Sequence, residues 1–107
     1  MRARVMKRLH FSLVALACLT TAWSVAAQDD TLARNLVATC ANCHGTDGHA
    51  VKASGMEALA GADAAKTLQK LHEFKSGVRP TTVMQQIVKG YTDEELALIV
   101  GYLARQK

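Results

Sequence analysis

Apolar residues along this chain recur every three or four positions in several segments, which is the spacing of amphipathic helices. A first helix is predicted over residues 30–39, with acids at its start and Leu32, Leu36 and Val37 on one face. No run alternates between apolar and polar residues for long enough to predict a strand. The pattern therefore predicts an all-α fold of about four helices.

Sequence signals at helix ends locate two further helices. Asp63 is a suitable N-cap for a helix that runs to Lys75, and Gly77 is its expected C-terminal stop. Thr92 and Glu95 form a capping box, in which each side chain accepts a hydrogen bond from the other residue's backbone N–H. The helix that follows has one apolar stripe, formed by Leu96, Ile99, Val100 and Leu103.

The sequence also predicts how these elements meet. The small Gly101 and its neighbour Tyr102 suggest that the last helix packs closely on the first one and closes the domain. Residues 45–49 are predicted to be a loop, and residues 50–62 show no periodicity. Lys66 and Lys70 are interpreted as a solvated helix surface.

Residues 1–27 have the three parts of a secretory signal peptide: a basic start, a short apolar run and small residues before a cleavage point after Ala27. A retained anchor and lipidation of Cys18 are the alternatives. Four of the 13 basic residues but none of the nine acids lie in this segment, so residues 28–107 carry no formal net charge. The sequence therefore predicts a periplasmic domain at 28–107, with no charge argument for nucleic-acid binding.

Residues 40–44 contain two cysteines separated by two positions and followed directly by a histidine, which is the attachment pattern of haem c. Cys40 and Cys43 can each bond a porphyrin vinyl group, and His44 can then bind the iron. The other ring nitrogen of His44 is expected to donate a hydrogen bond to a carbonyl in the loop that follows. A zinc site and a thioredoxin-type dithiol are alternatives, but the chain lacks a second ligand pair and a predicted strand before the cysteines.

A sixth iron ligand is predicted at Met84, which lies far enough beyond His44 for the chain to wrap the haem and approach its opposite face. Its thioether suits iron(II) and raises the reduction potential. Met56 and His49 follow the attachment motif closely, and His72 falls near the apolar face of a predicted helix. Eighty residues are few for a hydrophobic core alone, so the domain is expected to need its haem to fold.

A family resemblance is carried by residues 39–45, 59–61, 74–77, 79–84 and 89–95, together with Tyr102. Through these segments the domain resembles class I c-type cytochromes across essentially all of residues 28–107, and residues 74–95 are most similar to the cytochrome subunit of flavocytochrome c sulfide dehydrogenase. One departure from the pattern is Glu57, which stands where relatives tend to have proline. The resemblance implies a small fold around one covalent haem, and a partner flavoprotein containing FAD that oxidises sulfide.

On this basis the chain is expected to be an electron-transfer subunit without catalysis of its own. A free-standing cytochrome shuttle is one alternative. A haem enzyme or gas sensor is another, and it would require that Met84 leave the iron open. Lys52, Lys75 and Arg79 are candidates for a docking surface at the haem edge, although ordinary surface charge is the simpler interpretation.

Overall fold

The computed structural model describes residues 29–107, and these residues form five α-helices and no strand. Helix α1 occupies residues 29–37, and a 3-10 turn, Thr46–Gly48, follows α2. The remaining helices are α2, Ala41–His44; α3, Ala64–Ser76; α4, Met84–Val88; and α5, Asp93–Ala104. The predicted all-α class is confirmed. The predicted signal peptide and Cys18 lie outside the described residues.

The helix ends predicted from sequence are confirmed at α3 and α5. The Asp63 carboxylate accepts a hydrogen bond from the Lys66 backbone N–H at 2.9 Å, and Gly77 ends α3 in the left-handed conformation with φ 81°. At α5 the Thr92 hydroxyl accepts from the Glu95 N–H at 3.1 Å, and the Glu95 carboxylate accepts from the Thr92 N–H at 2.8 Å. Both caps satisfy N–H groups that a helix start leaves without partners.

The first helix is shorter than predicted. It ends at residue 37, and residues 38–40 form a turn in which the Cys40 N–H donates to the Val37 carbonyl at 2.9 Å. This bond spans three residues instead of the four of an α-helix, so the α-helical bonding of α1 stops before α2 begins. Cys40 is consequently the N-cap residue of α2, with Cys43 and His44 inside it.

The core lies between α1 and α5. Ala33 and Val37 of α1 belong to the same buried cluster as Leu96 and Ile99 of α5, as predicted for the terminal helices. The predicted apolar stripe of α5 is buried along its whole length. Within the part of the chain that the structure describes, no helix is long and apolar enough to cross a membrane.

The expected role of Gly101 is wrong. A Cβ atom at Gly101 would meet only the Arg105 side chain, at 3.7 Å, among the described residues, so α1 does not need a glycine there. The close approach occurs at Gly48 instead. With φ +81°, a Cβ at that position would lie 2.7 Å from the Ala60 nitrogen and 2.9 Å from a Leu103 methyl carbon. Gly48 therefore lets the chain after His44 pack directly on α5.

Candidate haem-binding site

A cavity of about 480 Å³ lies among the helices, within the size range of small-molecule and cofactor sites. Cys40, Cys43, His44 and Met84 all line it, so the structure brings together the four residues predicted from the sequence. Much of the remaining wall is apolar and includes Leu59, Leu71, Phe74, Ile87, Leu96 and Ile99.

The other three candidates for a sixth ligand lie in different places. Met56 also lines the cavity and is 41% exposed. His49 is not part of its wall, and His72 lies at a separate open groove with Asp93, 3.8 Å from that carboxylate. The geometry therefore leaves two thioethers, Met84 and Met56, beside the same cavity as His44.

The two cysteines approach the cavity from one turn of helix. Cys40 is half-buried and Cys43 is exposed, and neither forms a disulfide. Burial raises the pKa of the Cys40 thiol above its ordinary value of 9.0. Within residues 29–107, no group of three or more His, Cys, Asp or Glu side chains could hold a metal ion, so the structure gives the zinc alternative no support.

The His44 ring is oriented by a hydrogen bond to the backbone. Its Nδ1 atom lies 2.6 Å from the carbonyl oxygen of Glu57, in the nonhelical chain that follows. A neutral imidazole that donates from Nδ1 presents the lone pair of Nε2, which is the form that binds a metal. The prediction that His44 would have a backbone carbonyl as acceptor is confirmed, but the acceptor lies beyond the predicted loop at residues 45–49, in the stretch at residues 50–62.

The acceptor lies in what we name the attachment segment, residues 40–61. The Gly48 carbonyl accepts hydrogen bonds from the backbone N–H groups of Leu59 and Ala60 at 2.9 and 3.1 Å. The Gly61 N–H donates to the Leu103 carbonyl at 2.9 Å, which ties the end of the segment to α5. The backbone just after Glu57 is therefore fixed, although residues 50–62 form no helix.

Two side-chain contacts of the attachment segment escape the sequence analysis. The Tyr102 hydroxyl donates to the Asp47 carboxylate at 2.9 Å, so Tyr102 holds the turn after His44. The Lys70 ammonium donates to both carboxylate oxygens of Glu57, at 2.8 and 2.9 Å. Lys70 also lines the cavity, so this partly exposed residue does more than form a solvated helix surface.

Met84 belongs to what we name the methionine segment, residues 78–88. It is the first residue of α4, and the preceding Val83 forms no side-chain cap. Upstream, the Arg79 guanidinium binds the Glu73 carboxylate of α3 at 2.6 and 2.8 Å, and the Arg79 N–H donates to the Glu73 carbonyl. Hydrogen bonds from Arg79 and Gln69 hold the pKa of Glu73 below its ordinary value of 4.5.

The proposed docking cations are mostly engaged within the chain. Lys75 donates to the Asp93 carboxylate and to the Tyr91 carbonyl, both at 2.8 Å. The hydrogen bond from Lys75 holds the pKa of Asp93 below its ordinary value of 3.8. Arg79 is paired with Glu73, and Lys52 is exposed. Lys75 and Arg79 therefore primarily form contacts between segments of this chain.

The residues around the cavity fit haem c. Two cysteines on one helical turn can anchor the ring, and a histidine with Nδ1 already engaged can bind the iron through Nε2. A thioether lies at the same cavity, and apolar walls suit the porphyrin faces. These donors would suit a haem ligated by a histidine and a methionine.

Comparison with known proteins gives the same assignment. The family model "Cytochrome c" matches residues 31–107. The chain is 33% identical over 104 residues, 92% of its length, to the thiosulfate dehydrogenase electron acceptor of Stutzerimonas stutzeri, of which it covers 48%. It is 42% identical over 64 residues, 60% of its length, to the cytochrome subunit of sulfide dehydrogenase of Chlorobaculum tepidum, of which it covers 56%.

The chain thus spans about half the length of these two relatives. Cytochrome c-553 of Nitratidesulfovibrio vulgaris is instead matched over nearly its full length. The identity is 30%, and the alignment covers 94% of the chain and 99% of the relative. The chain belongs to the cytochrome c family, as a class I electron-transfer protein whose cofactor is covalently bound haem c.

Proposed function

We propose that this chain is a periplasmic monohaem cytochrome that receives electrons from a sulfide-oxidising flavoprotein containing FAD. Cys40 and Cys43 hold the haem, and His44 and Met84 ligate its iron. The haem supplies a centre that alternates between iron(III) and iron(II) as it takes up and releases one electron. Catalysis takes place on the partner flavoprotein.

The observation that carries the proposal is the placement of His44 and Met84 at one apolar cavity. The hydrogen bond from His44 Nδ1 to Glu57 fixes the imidazole orientation. Apolar side chains of the cavity wall would exclude water, and His44 and Met84 would hold the iron in both oxidation states. These features favour electron transfer over chemistry on a bound substrate.

The partner is inferred from similarity. The relative from Chlorobaculum tepidum is a cytochrome subunit of sulfide dehydrogenase, and the matched region is 42% identical. This supports a sulfide dehydrogenase as the partner, and the resemblance of residues 74–95 implies that this partner is a flavoprotein.

A second candidate is a free-standing carrier. The relative from Stutzerimonas stutzeri is an electron acceptor of thiosulfate dehydrogenase and matches 92% of this chain. This favours a cytochrome that collects electrons from another sulfur-oxidising dehydrogenase and delivers them elsewhere. The haem site is the same in both proposals, and only the donor differs.

Isolation of the native protein from the periplasmic fraction separates the two. We expect a chain with bound flavin to co-purify with the cytochrome, and sulfide to reduce the haem rapidly in that complex. A control preparation stripped of the flavoprotein should lose rapid reduction by sulfide and recover it on recombination. A lone cytochrome that sulfide reduces only slowly would contradict the subunit assignment and favour the carrier. Recovery in the cytoplasm would contradict the proposed location.

A further inference from the structure

Glu57 contacts two parts of the site at once. Its backbone carbonyl accepts the hydrogen bond from His44 Nδ1 at 2.6 Å, and its carboxylate binds the Lys70 ammonium through both oxygens at 2.8 and 2.9 Å. Lys70 lies in the middle of α3, away from its ends, and both Glu57 and Lys70 line the cavity. A single residue therefore connects the imidazole to a helix that lies outside the attachment segment.

The backbone around Glu57 is held by hydrogen bonds mainly on its C-terminal side. A second contact is therefore needed to keep the Glu57 carbonyl in place. Hydrogen bonds from Leu59 and Ala60 to Gly48 fix the backbone just after it. The residues before it are exposed, with Val51 at 73% and Met56 at 41%. Lys70 supplies a tie from a capped, 13-residue helix at this point.

Attraction between the two charges is not the main effect of this pair. The side chains of Lys70 and Glu57 are 36% and 62% exposed, and pairs in contact with water are strongly screened. The geometry is more informative, because a carboxylate held through both oxygens restricts where its backbone can lie. The consequence falls on the carbonyl that faces His44.

We propose that the Glu57–Lys70 ion pair positions the Glu57 carbonyl on His44 Nδ1 and thereby lowers the reduction potential of the haem. A hydrogen bond accepted from Nδ1 makes the imidazole a stronger donor to the metal, which favours iron(III). Lys70 is in this sense a positioning residue that acts on the iron through Glu57 and His44. The inference rests on the proposed ligation of the iron by His44.

The test compares the reduction potentials of the haem-loaded parent, Lys70→Met and Glu57→Gln. We expect both substitutions to shift the potential upward, because each releases the carbonyl from its position. We also expect faster solvent exchange of the His44 Nδ1 proton, measured by NMR. The double variant should show no larger shift than the stronger single variant, since the two side chains act through one contact.

Two control variants separate positioning from charge. Lys70→Arg keeps a cation that can bind a carboxylate through two donors, and should retain the parent potential and exchange rate. Lys66→Met removes the same charge one helical turn away, from an exposed residue that does not line the cavity and forms no ion pair with the described residues. It should not raise the potential.

Opposite shifts would overturn the inference. If Lys70→Met lowers the potential, Glu57→Gln raises it and the double variant returns to the parent value, the two charges act directly on the iron. Unchanged potentials and exchange rates would also overturn it. The low-spin spectrum of the parent tests ligation by His44 and Met84 separately, so a failure of the proposed function is visible before any variant is measured.

Discussion

The attachment segment and the methionine segment face the same cavity but are held in place by different means. In the attachment segment, backbone hydrogen bonds at Gly48 and Gly61 and side-chain contacts of Asp47 and Glu57 join residues that are far apart in the sequence. The methionine segment has a five-residue helix without a side-chain cap at its start, and exposed Val78 and Val83 precede Met84. Its upstream tie is the contact between Arg79 and Glu73.

This difference predicts which of the two proposed iron ligands, His44 or Met84, should be lost more easily when the fold is destabilised. His44 is oriented through Nδ1 by a carbonyl whose own backbone is anchored to Gly48 and α5. Met84 depends on the packing of a short helix and on one ion pair at the surface. The methionine segment has fewer long-range hydrogen bonds, although Val88 at its end is buried, and backbone held by fewer such bonds opens at lower free-energy cost. We therefore expect mild perturbation to release Met84 while His44 stays in place.

The prediction with the largest expected effect concerns whether either segment keeps its structure without haem. In the double variant Cys40→Ser and Cys43→Ser, we expect most of the helical signal in circular dichroism to be lost. Leaving a cavity of about 480 Å³ without its occupant costs up to about 12 kcal/mol at ~24 cal/mol per Å³, comparable to the whole stability of a small domain. Native-like helical content and cooperative melting would show that the attachment segment folds by its own hydrogen bonds.

The next effect concerns Met84 alone. We expect Met84→Ala to abolish the sulfur-to-iron charge-transfer band, to lower the reduction potential and to let carbon monoxide bind the reduced protein without denaturant. The covalent haem and the hydrogen bond of His44 should remain. Met56→Ala is the matched control, because Met56 lines the same cavity, and it should keep the band.

An unchanged oxidised spectrum in Met84→Ala would refute ligation by Met84. Loss of the band in Met56→Ala instead would assign the ligand to Met56. If the parent itself binds carbon monoxide readily, the alternative of a haem enzyme or gas sensor becomes the better interpretation.

The helix ends at α3 and α5 were predictable because each capping signal depends on residues that are close together in the sequence. The caps at Asp63 and at Thr92 with Glu95 join positions three residues apart, and the structure has them as predicted. The spacing of Cys40, Cys43 and His44 predicted the haem site for the same reason. Placement of Met84 at the cavity followed from the distance along the chain that wrapping the haem requires.

The contacts that sequence reasoning missed join positions that are far apart. Tyr102 binds Asp47 across 55 positions, and Lys70 binds Glu57 across 13. No local pattern distinguishes Lys70 from Lys66, since both lie on the polar face of α3. Gly48 reads as one of several loop glycines, and only the packing of Ala60 and Leu103 shows that a side chain would not fit there.

Gly48 allows the dense packing of the attachment segment to be tested directly. We expect Gly48→Ala to lower the free energy of unfolding by about 2–4 kcal/mol, because a Cβ would clash with Ala60 backbone and Leu103 and would sit at φ +81°. Gly55→Ala is the control, with φ +73° and nothing within 4 Å of its Cβ, and should cost about 1 kcal/mol. Denaturant unfolding of both variants measures the difference. Equal losses would mean that backbone strain alone matters at Gly48 and that the segment is not tightly packed.

The smallest effect is the acid sensitivity of the methionine segment. The folded protein holds the pKa of Glu73 below 4.5 through hydrogen bonds from Arg79 and Gln69, with smaller contributions from the charges of Arg79 and Lys70. The stabilisation is therefore fully present at neutral pH and is lost as the pH falls below 4.5 through the lowered folded value. We expect Glu73→Gln to weaken the sulfur-to-iron band at neutral pH slightly and to flatten its acid dependence.

Asp93 provides the matched control for this acid effect. Lys75 lowers its pKa in the same way, with a smaller contribution from the charge of His72, but Asp93 lies at the start of α5 and does not bind Arg79. Asp93→Asn should flatten the pH dependence of unfolding without moving the acid midpoint of the band. If Glu73→Gln also leaves that midpoint unchanged, the ion pair between Arg79 and Glu73 does not hold the methionine segment in place. The comparison between the two sides of the cavity would then rest on the packing of α4 and on the backbone hydrogen bond from Arg79 to Glu73.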